Sequence, residues 1–318
     1  MVNYTVTASD NCPGVITQLV SGLASGSAFP IGVNTVTWRA VDAAGNLSPT
    51  CSFTVTVLDA QLPAISKQPV DVSVCAGENA SFSVTSTNAV SYQWQVFDGN
   101  NLNNIPGATS STLTLSNVTI TMNAGLYRVR VIGLCTTVNS AAATLYVKPM
   151  PTIVLTASRP PILLPGQFLT ITAVVNHEGG TFVWRKNGSV IAGATTNQLT
   201  GLTVDDAGSY TCTYTLNGCT VTSAVMIVSA QESGNIYVYP NPNFGQFEVR
   251  FYNQNNEQVT LTVFNVLGQV IYQRAYATGL PYSHMQVSLG NVPQGSYLVA
   301  VINRAGQIIG AKWITVYH

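Results

Sequence analysis

"DDAGSYTC", residues 205–212, decides the fold of this chain. It carries the pattern Asp-x-Gly-x-Tyr-x-Cys and follows a lone tryptophan, Trp184. Working outward, the period is two nearly everywhere. "SFTVTV" (52–57), "SFSVTS" (81–86), "TLTLSNVTI" (112–120), "LTITAVV" (169–175), "VTLTVFNV" (259–266) and "SYLVAVIN" (296–303) alternate β-branched or aromatic residues with small polar ones, and turn residues punctuate them. No stretch carries a convincing helical period. The chain is read as all-β.

Strands return in blocks of about 60 to 90 residues, the size of a small β-sandwich. Polar stretches bearing Pro, Ser or Gly directly follow apolar strands at "LDAQLPAISKQP" (58–69), "VKPMPT" (147–152) and "VSAQESGN" (228–235), where linkers belong. This predicts a tandem array of four small sandwiches: 1–58, 59–148, 149–230 and 231–318. The second and third repeat one another. Each runs Trp94 or Trp184, then "GAT" (107–109, 193–195), then Leu113 or Leu199, then Gly-x-Tyr (Gly125/Tyr127, Gly208/Tyr210).

With Trp184 and "DDAGSYTC", the third block resembles an immunoglobulin-type domain. The resemblance implies that Trp94 and Trp184 are core tryptophans between two sheets, and that the Tyr before the usual Cys returns its hydroxyl to backbone at a corner. The usual inter-sheet bridge is missing. Ala173 stands where its first cysteine is implied, and Val129 takes the second position in the second block.

Six cysteines (Cys12, Cys51, Cys75, Cys135, Cys212, Cys219) show neither CxxC nor a His at ligand spacing, so disulfides in an oxidising compartment are expected over zinc or redox chemistry. Cys75 with Cys135 is the expected staple, closing a loop of about 60 residues worth roughly 3–4 kcal/mol on the chain-entropy model. Leu164 stands where the third block would repeat Cys75. Cys12 with Cys51, and Cys212 with Cys219, are further candidate pairs. If Asn217 and Gly218 make a two-residue turn, Cys212 faces Ser223 instead, and its pairing with Cys219 needs a looser hairpin.

"SDNCPGV" (9–15), "SGSAFPIGVNTVTW" (25–38) and "AVDAAGNLSPTCSFTVTV" (40–57) together resemble the hyalin-repeat (HYR) family, whose domains are sandwich spacers and adhesion modules. The family has a further first strand in front. The expectation is that this chain begins inside the domain, as the tail of a longer protein, and that Cys12 and Cys51 pair together or have partners upstream.

From Ile236 onward come "IYVYPNPNFGQFEVRF", "VTLTVFNVLGQVIYQ", "VPQGSYLVAV" and "AKWITV". Pro242 lacks an N–H and suits only a strand end, while Gly245 permits the turn that aims Phe247 at a core. "FNVLGQ" reads as a hairpin turn. Together these pieces resemble the type A C-terminal sorting domain of type IX secretion. The motif falls on Pro240, Asn241, Pro242, Gly245, Phe247, Asn265, Gly268, Gly295, Tyr297 and Lys312. The resemblance implies recognition by the secretion machinery at the outer membrane, extracellular or cell-surface localisation, and frequent removal by a peptidase. The implied processing linker is Ser229, Ala230, Gln231, Glu232, Ser233 and Gly234, before Ile236.

Composition narrows function. Net charge is zero with 8% charged residues, and the twelve Lys and Arg are scattered from Arg39 to Lys312, which disfavours nucleic acid. No apolar run approaches the roughly 20 residues of a membrane span. His177, His284 and His318 have no Ser, Cys or carboxylate at a motif spacing and are read as solvated or capping. Asp206 belongs to the tyrosine corner and Asp205 to a solvated turn. Asp10, Asp42 and Asn46 lack the dense spacing of a calcium loop. Tyr92, Trp94, Trp184 and Trp313 are the aromatics that could stack on sugar, but Trp94 and Trp184 are needed in cores, and Trp38 alternates inward with Val36. The expectation is a non-catalytic region without cofactor, serving as stalk and export address, with a surface glycan or protein as the candidate ligand. The alternative is a set of accessory binding modules for an upstream enzyme.

Overall fold

The computed structural model describes residues 1–59, 61–252, 257–279 and 281–317. Its regular elements are strands and two one-turn 3-10 segments, Ile120–Met122 and Val204–Asp206, so the fold is all-β. The chain divides into two compact units, Met1–Val147 and Lys148–His318.

In the first unit, Ile16–Ser21, Gly32–Val41 and Cys51–Val57 form one antiparallel sheet in that order, and Val2 bridges Ser27 beside it. Tyr4 crosses it, its ring 4.9 Å from Phe53 and 6.2 Å from Trp38. Val36 is fully buried and Trp38 half-buried. Cys12 and Cys51 are free, exposed thiols, so the pairing of these two is not made.

The second block is a sandwich. Its larger sheet orders Val72–Cys75, Ala143–Lys148, Gly125–Ile132, Ser91–Phe97 and Leu102–Asn104, with Thr137–Asn139 also on Gly125–Ile132. Opposite it, Ala80–Ser83 pairs with Thr112–Leu115, and Ala64–Lys67 with Thr85–Thr87. The linker expected at 58–69 thus contains a strand. Trp94, Phe82, Val129 and Leu145 fill the core, each side chain contributing about 2 kcal/mol or more by leaving water. The expected Cys75–Cys135 bridge is wrong. Cys135 is free and exposed, whereas Cys75 is disulfide-bonded elsewhere. Gly77 N–H donates to Val118 O, so Cys75 sits near the start of strand Gly125–Ile132, while Cys135 lies beyond its other end. Eight residues of strand span about 27 Å, against the ~6 Å between Cα atoms that a disulfide tolerates.

In the second unit, Ile153–Ala157, Leu169–Val175 and Gln198–Leu202 form one sheet of the third sandwich. The other orders Ile162–Leu163, Met226–Ala230, Gly208–Leu216, Thr181–Lys186 and Ser189–Val190, with Cys219–Thr222 on Gly208–Leu216. The repeat read from sequence reappears in register: Trp94 lies opposite Val129 and Trp184 opposite Cys212. Each indole N–H, buried with its ring, finds a carbonyl: Ser110 O at 2.9 Å and Thr196 O at 2.8 Å. The Tyr210 hydroxyl donates to Asp206 O at 2.6 Å, which makes the expected corner. Asn217 and Gly218 take positive φ and close a two-residue turn that pairs Leu216 with Cys219. Cys212 therefore meets Ser223, whose Oγ accepts its N–H at 3.1 Å. The candidate Cys212–Cys219 bridge fails on this register. Cys212 is a free thiol in the core, pushed by burial up to about 11, and Cys219 is disulfide-bonded elsewhere.

The fourth block packs Tyr237–Tyr239, Gln246–Tyr252 and Tyr282–Ser288 against a sheet ordered Val270–Tyr276, Val259–Phe264, Gly295–Ile302 and Ile308–Val316. Phe247, Val249, Val263, Met285, Val299 and Ile314 lie between the layers.

Candidate functional site

The stretch 240–245 joins two neighbouring strands of the fourth sandwich, with cis peptides at Tyr239–Pro240 and Asn241–Pro242. Two asparagines then stitch this loop to the last strand. Asn241 Oδ1 accepts Thr315 N–H at 3.0 Å, and Asn241 Nδ2 donates to Trp313 O at 3.3 Å. Asn243 N–H donates to Thr315 O, and its carbonyl accepts from Tyr317 N, both at 2.9 Å. The Asn243 side chain is 1% exposed; its Oδ1 accepts Gly245 N–H at 2.8 Å, while Nδ2 has no partner among the described residues. Gly245, at φ +81, makes the turn that delivers Phe247 into the core.

Asn265 closes the hairpin turn read from "FNVLGQ": its Oδ1 accepts from Leu267 N (3.0 Å) and Gln269 N (2.9 Å), with Gly268 at φ +80. Tyr297 is buried, its hydroxyl on Pro293 O at 2.7 Å. Register brings these pieces together. Phe264 pairs with Val270 and Leu298, Leu298 with Trp313, and Gly295 with Val316. The 240–245 loop, the 265–268 turn and the Gly295–Tyr297 strand start thus share one end of the sandwich, where Phe244 (76%), Leu267 (79%) and Trp313 (55%) stand exposed. Lys312 is exposed on the edge strand beside them, where a charge discourages further strand pairing.

Sequence reasoning missed three things here. Asn243 carries the loop's buried polar contact. Asn303–Gln307 repeats the Asn265 turn, with Asn303 Oδ1 accepting Gln307 N–H at 2.9 Å and Gly306 at φ +78; the shared spelling Asn-x-x-Gly-Gln was the available signal. The third is the outer face of the three-stranded sheet, which is not a solvated face.

That face bears Tyr237, Tyr239, Glu248, Arg250, Tyr252, Tyr282 and His284, and it meets the third sandwich. Asp205 is no solvated turn residue: its two oxygens accept from Arg250 Nη1 (2.6 Å) and Nη2 (2.8 Å), and His284 Nε2 lies 3.1 Å away. Arg250 also bonds Glu248. The hydrogen bonds from Arg250 hold the Asp205 carboxyl below its ordinary value. His284, read as solvated or capping, joins this cluster. The Tyr239 hydroxyl donates to Pro165 O at 2.7 Å, and a Cβ on Gly166 would fall 2.6 Å from that same hydroxyl oxygen. Beside these contacts Phe168, Val204 and Pro240 help line a cleft of about 580 Å³.

The candidate processing segment differs from expectation at its start. Ser229 and Ala230 belong to strand Met226–Ala230, which pairs in parallel with Ile162–Leu163, so the connector starts two residues later and runs over 231–236.

Elsewhere, Asp206 accepts from Thr203 N at 3.0 Å and meets Lys186 Nζ at 3.4 Å. Asp42 closes a turn on Asn46, taking its N–H at 2.7 Å and its Nδ2 at 2.8 Å, and Asp10 accepts from Asn11 N. The His177 carbonyl accepts the Tyr214 hydroxyl at 2.6 Å. His318 lies outside the described residues. Trp94 and Trp184 are wholly buried, and the Tyr92 hydroxyl is 3.0 Å from Ser86 Oγ.

Residues 237–315 match the family of the secretion system C-terminal sorting domain. The fourth sandwich is such a sorting domain. It marks the chain for type IX export to the cell surface or the extracellular space. Residues 1–57 match the HYR domain and residues 66–149 a domain of unknown function (DUF8696). No curated protein matches the chain. Among solved structures, it is similar to the eight N-terminal immunoglobulin domains of Down syndrome cell adhesion molecule, at 16% identity and a TM-score of 0.43, covering 97% of this chain and 44% of that one. It is also similar to the I67–I69 fragment of titin (16%, TM-score 0.37, 80% and 96%) and to murine CEACAM1b (16%, TM-score 0.32, 54% and 100%). The chain thus spans less than half the length of the first of these. No helix among the described residues is long and apolar enough to cross a membrane.

Proposed function

We propose that this is a non-catalytic region of a secreted or surface protein, in which residues 1–230 serve as stalk and adhesion spacers and 231–318 as the export address. The address is read by type IX machinery at the outer membrane and is then cut away within 231–235. One observation carries this reading: in a domain that matches the sorting family, the motif residues at 240–245, 265–268 and 295–297 share one end, fringed by exposed Phe244, Leu267 and Trp313. An end fringed by exposed apolar side chains suits docking by burial of surface. The test places the full chain behind a signal peptide and a fluorescent reporter in a bacterium with type IX secretion, beside a transport mutant. Reporter outside the wild-type cell and retained in the mutant is expected; reporter held in the periplasm of both sinks the reading.

A second reading, an accessory glycan-binding module, draws on a cleft of about 520 Å³ in the third sandwich, where Glu178, Thr195 and Asn197 face Phe182. A glycan panel with no retained sugar counts against it.

A further inference from the structure

The connector between the third and fourth sandwiches is tied down on both sides. Gln231 N–H donates to Leu163 O at 2.8 Å, and the Gln231 carbonyl accepts the buried Tyr282 hydroxyl at 2.7 Å. Tyr252 reaches the Glu232 carboxylate at 3.2 Å, and the Tyr237 hydroxyl lies 3.1 Å from Ser233 Oγ. All three tyrosines project from the docked face of the sorting sandwich and pack on the core of the third one. Arg250, its side chain 15% exposed, locks the rim through Asp205.

A peptidase must draw several residues into extended form in its cleft. A segment pinned at Gln231 through both backbone groups, and at Glu232 and Ser233 through their side chains, enters such a cleft only in the fraction of molecules that have locally opened. We propose that the junction is a latch: docking of the sorting sandwich on the third sandwich holds the surface residues 231–235 in one anchored conformation and so slows their proteolysis, and undocking frees them. Cleavage is thereby coupled to engagement of the sorting domain, since a partner that pulls this sandwich away frees the connector. The proposal rests on reading 231–235 as the processing segment.

Glutamyl endopeptidase tests the latch without any secretion component. On the full chain, water adds across the Glu232–Ser233 amide and leaves a carboxylate on Glu232 and an amine on Ser233. Glu178, in the exposed 176–180 loop, is the reference within the chain. Mass spectrometry of a time course reads both rates. Wild type is expected to be cut more slowly at Glu232 than at Glu178. Arg250→Ala should raise the rate at Glu232 about tenfold, equivalent to ~1.4 kcal/mol of latch free energy, with Glu178 unchanged. Arg250→Lys, which keeps a cation beside Asp205 and Glu248, should restore part of the protection. If Arg250→Ala unfolds the sorting sandwich, Tyr239→Phe, which deletes only the hydroxyl bonded to Pro165, decides by a smaller rise at Glu232. Equal wild-type rates at the two sites, or an unchanged Glu232 rate in a folded variant, overturns the latch. Protection in vitro with no cleavage of the exported chain in cells would sink the processing reading and leave the latch standing.

Discussion

Replacing Asn243 by Asp puts a carboxylate where the structure holds a neutral amide that is 1% exposed. The acceptor for Gly245 N–H is retained and the shape hardly changes, so charge alone is tested. The atom replaced, Nδ2, has no hydrogen-bond partner among the described residues, and the new oxygen would face none of the donors that an ionised acid needs. Burial of this kind should raise the acid by about 2–3 units, a cost of ~3–4 kcal/mol at neutral pH. Because the folded value then lies above the unfolded one of about 3.9, the loss is full above the folded value, shrinks as pH falls through it, and vanishes below the unfolded one. Thermal unfolding of the full chain reads this in the transition of the sorting sandwich. For a domain of this size the drop should be about 12–25 °C near pH 8 and only a few degrees near pH 4. An equal drop at both pH values would refute the reasoning by showing that charge is not the cause, and no drop near pH 8 would refute it by showing that water reaches position 243.

Three more outcomes are expected. The thiols of Cys12, Cys51 and Cys135 should react readily with an aromatic disulfide reagent near neutral pH, and Cys212 only after denaturation, because it is buried and held protonated; a fast fourth thiol in native protein contradicts the core placement. Tyr210→Phe should cost the third sandwich about 1–2 kcal/mol in denaturant titrations followed by Trp184 fluorescence, through loss of the bond to Asp206 O. Asp205, held low by Arg250, contributes to the junction at pH values above its unfolded range near 4, and that contribution should disappear as pH falls through its lowered folded value. The difference in unfolding temperature between wild type and Asp205→Asn should therefore close in acid, and a pH-independent difference tells against the ion pair.

Strand placement was legible because alternation is a local property. "LTITAVV" matches Leu169–Val175 at both ends. "TLTLSNVTI" overshot: the strand stops at Leu115, and Asn117 takes φ +50 with its N–H on Asn79 Oδ1. Turn chemistry was legible too, at Asn217–Gly218 and Asn265–Gly268, where a glycine must adopt positive φ. The cysteine pairing was misjudged because order along a chain says little about which end of a strand a residue reaches. Cys75 and Cys135 belong to opposite ends of the same sandwich.

By itself, the sequence determined the all-β class, the buried tryptophans, the tyrosine corner at Tyr210 and the spelling of the sorting motif, all of which depend on residues close together or on one strand's periodicity. Only the tertiary structure decided that Asp205 meets Arg250 and His284, that Asn243 is sealed beneath the last strand, and that Tyr282 holds the connector. These contacts join residues 45 to 79 positions apart, or 51 for Tyr282 with Gln231. A polar, alternating face such as Tyr237–Tyr239 or Glu248–Tyr252 has the same pattern whether it meets water or a neighbouring sandwich. Which of the two it meets is set by the docking of folded surfaces, and no local period encodes that.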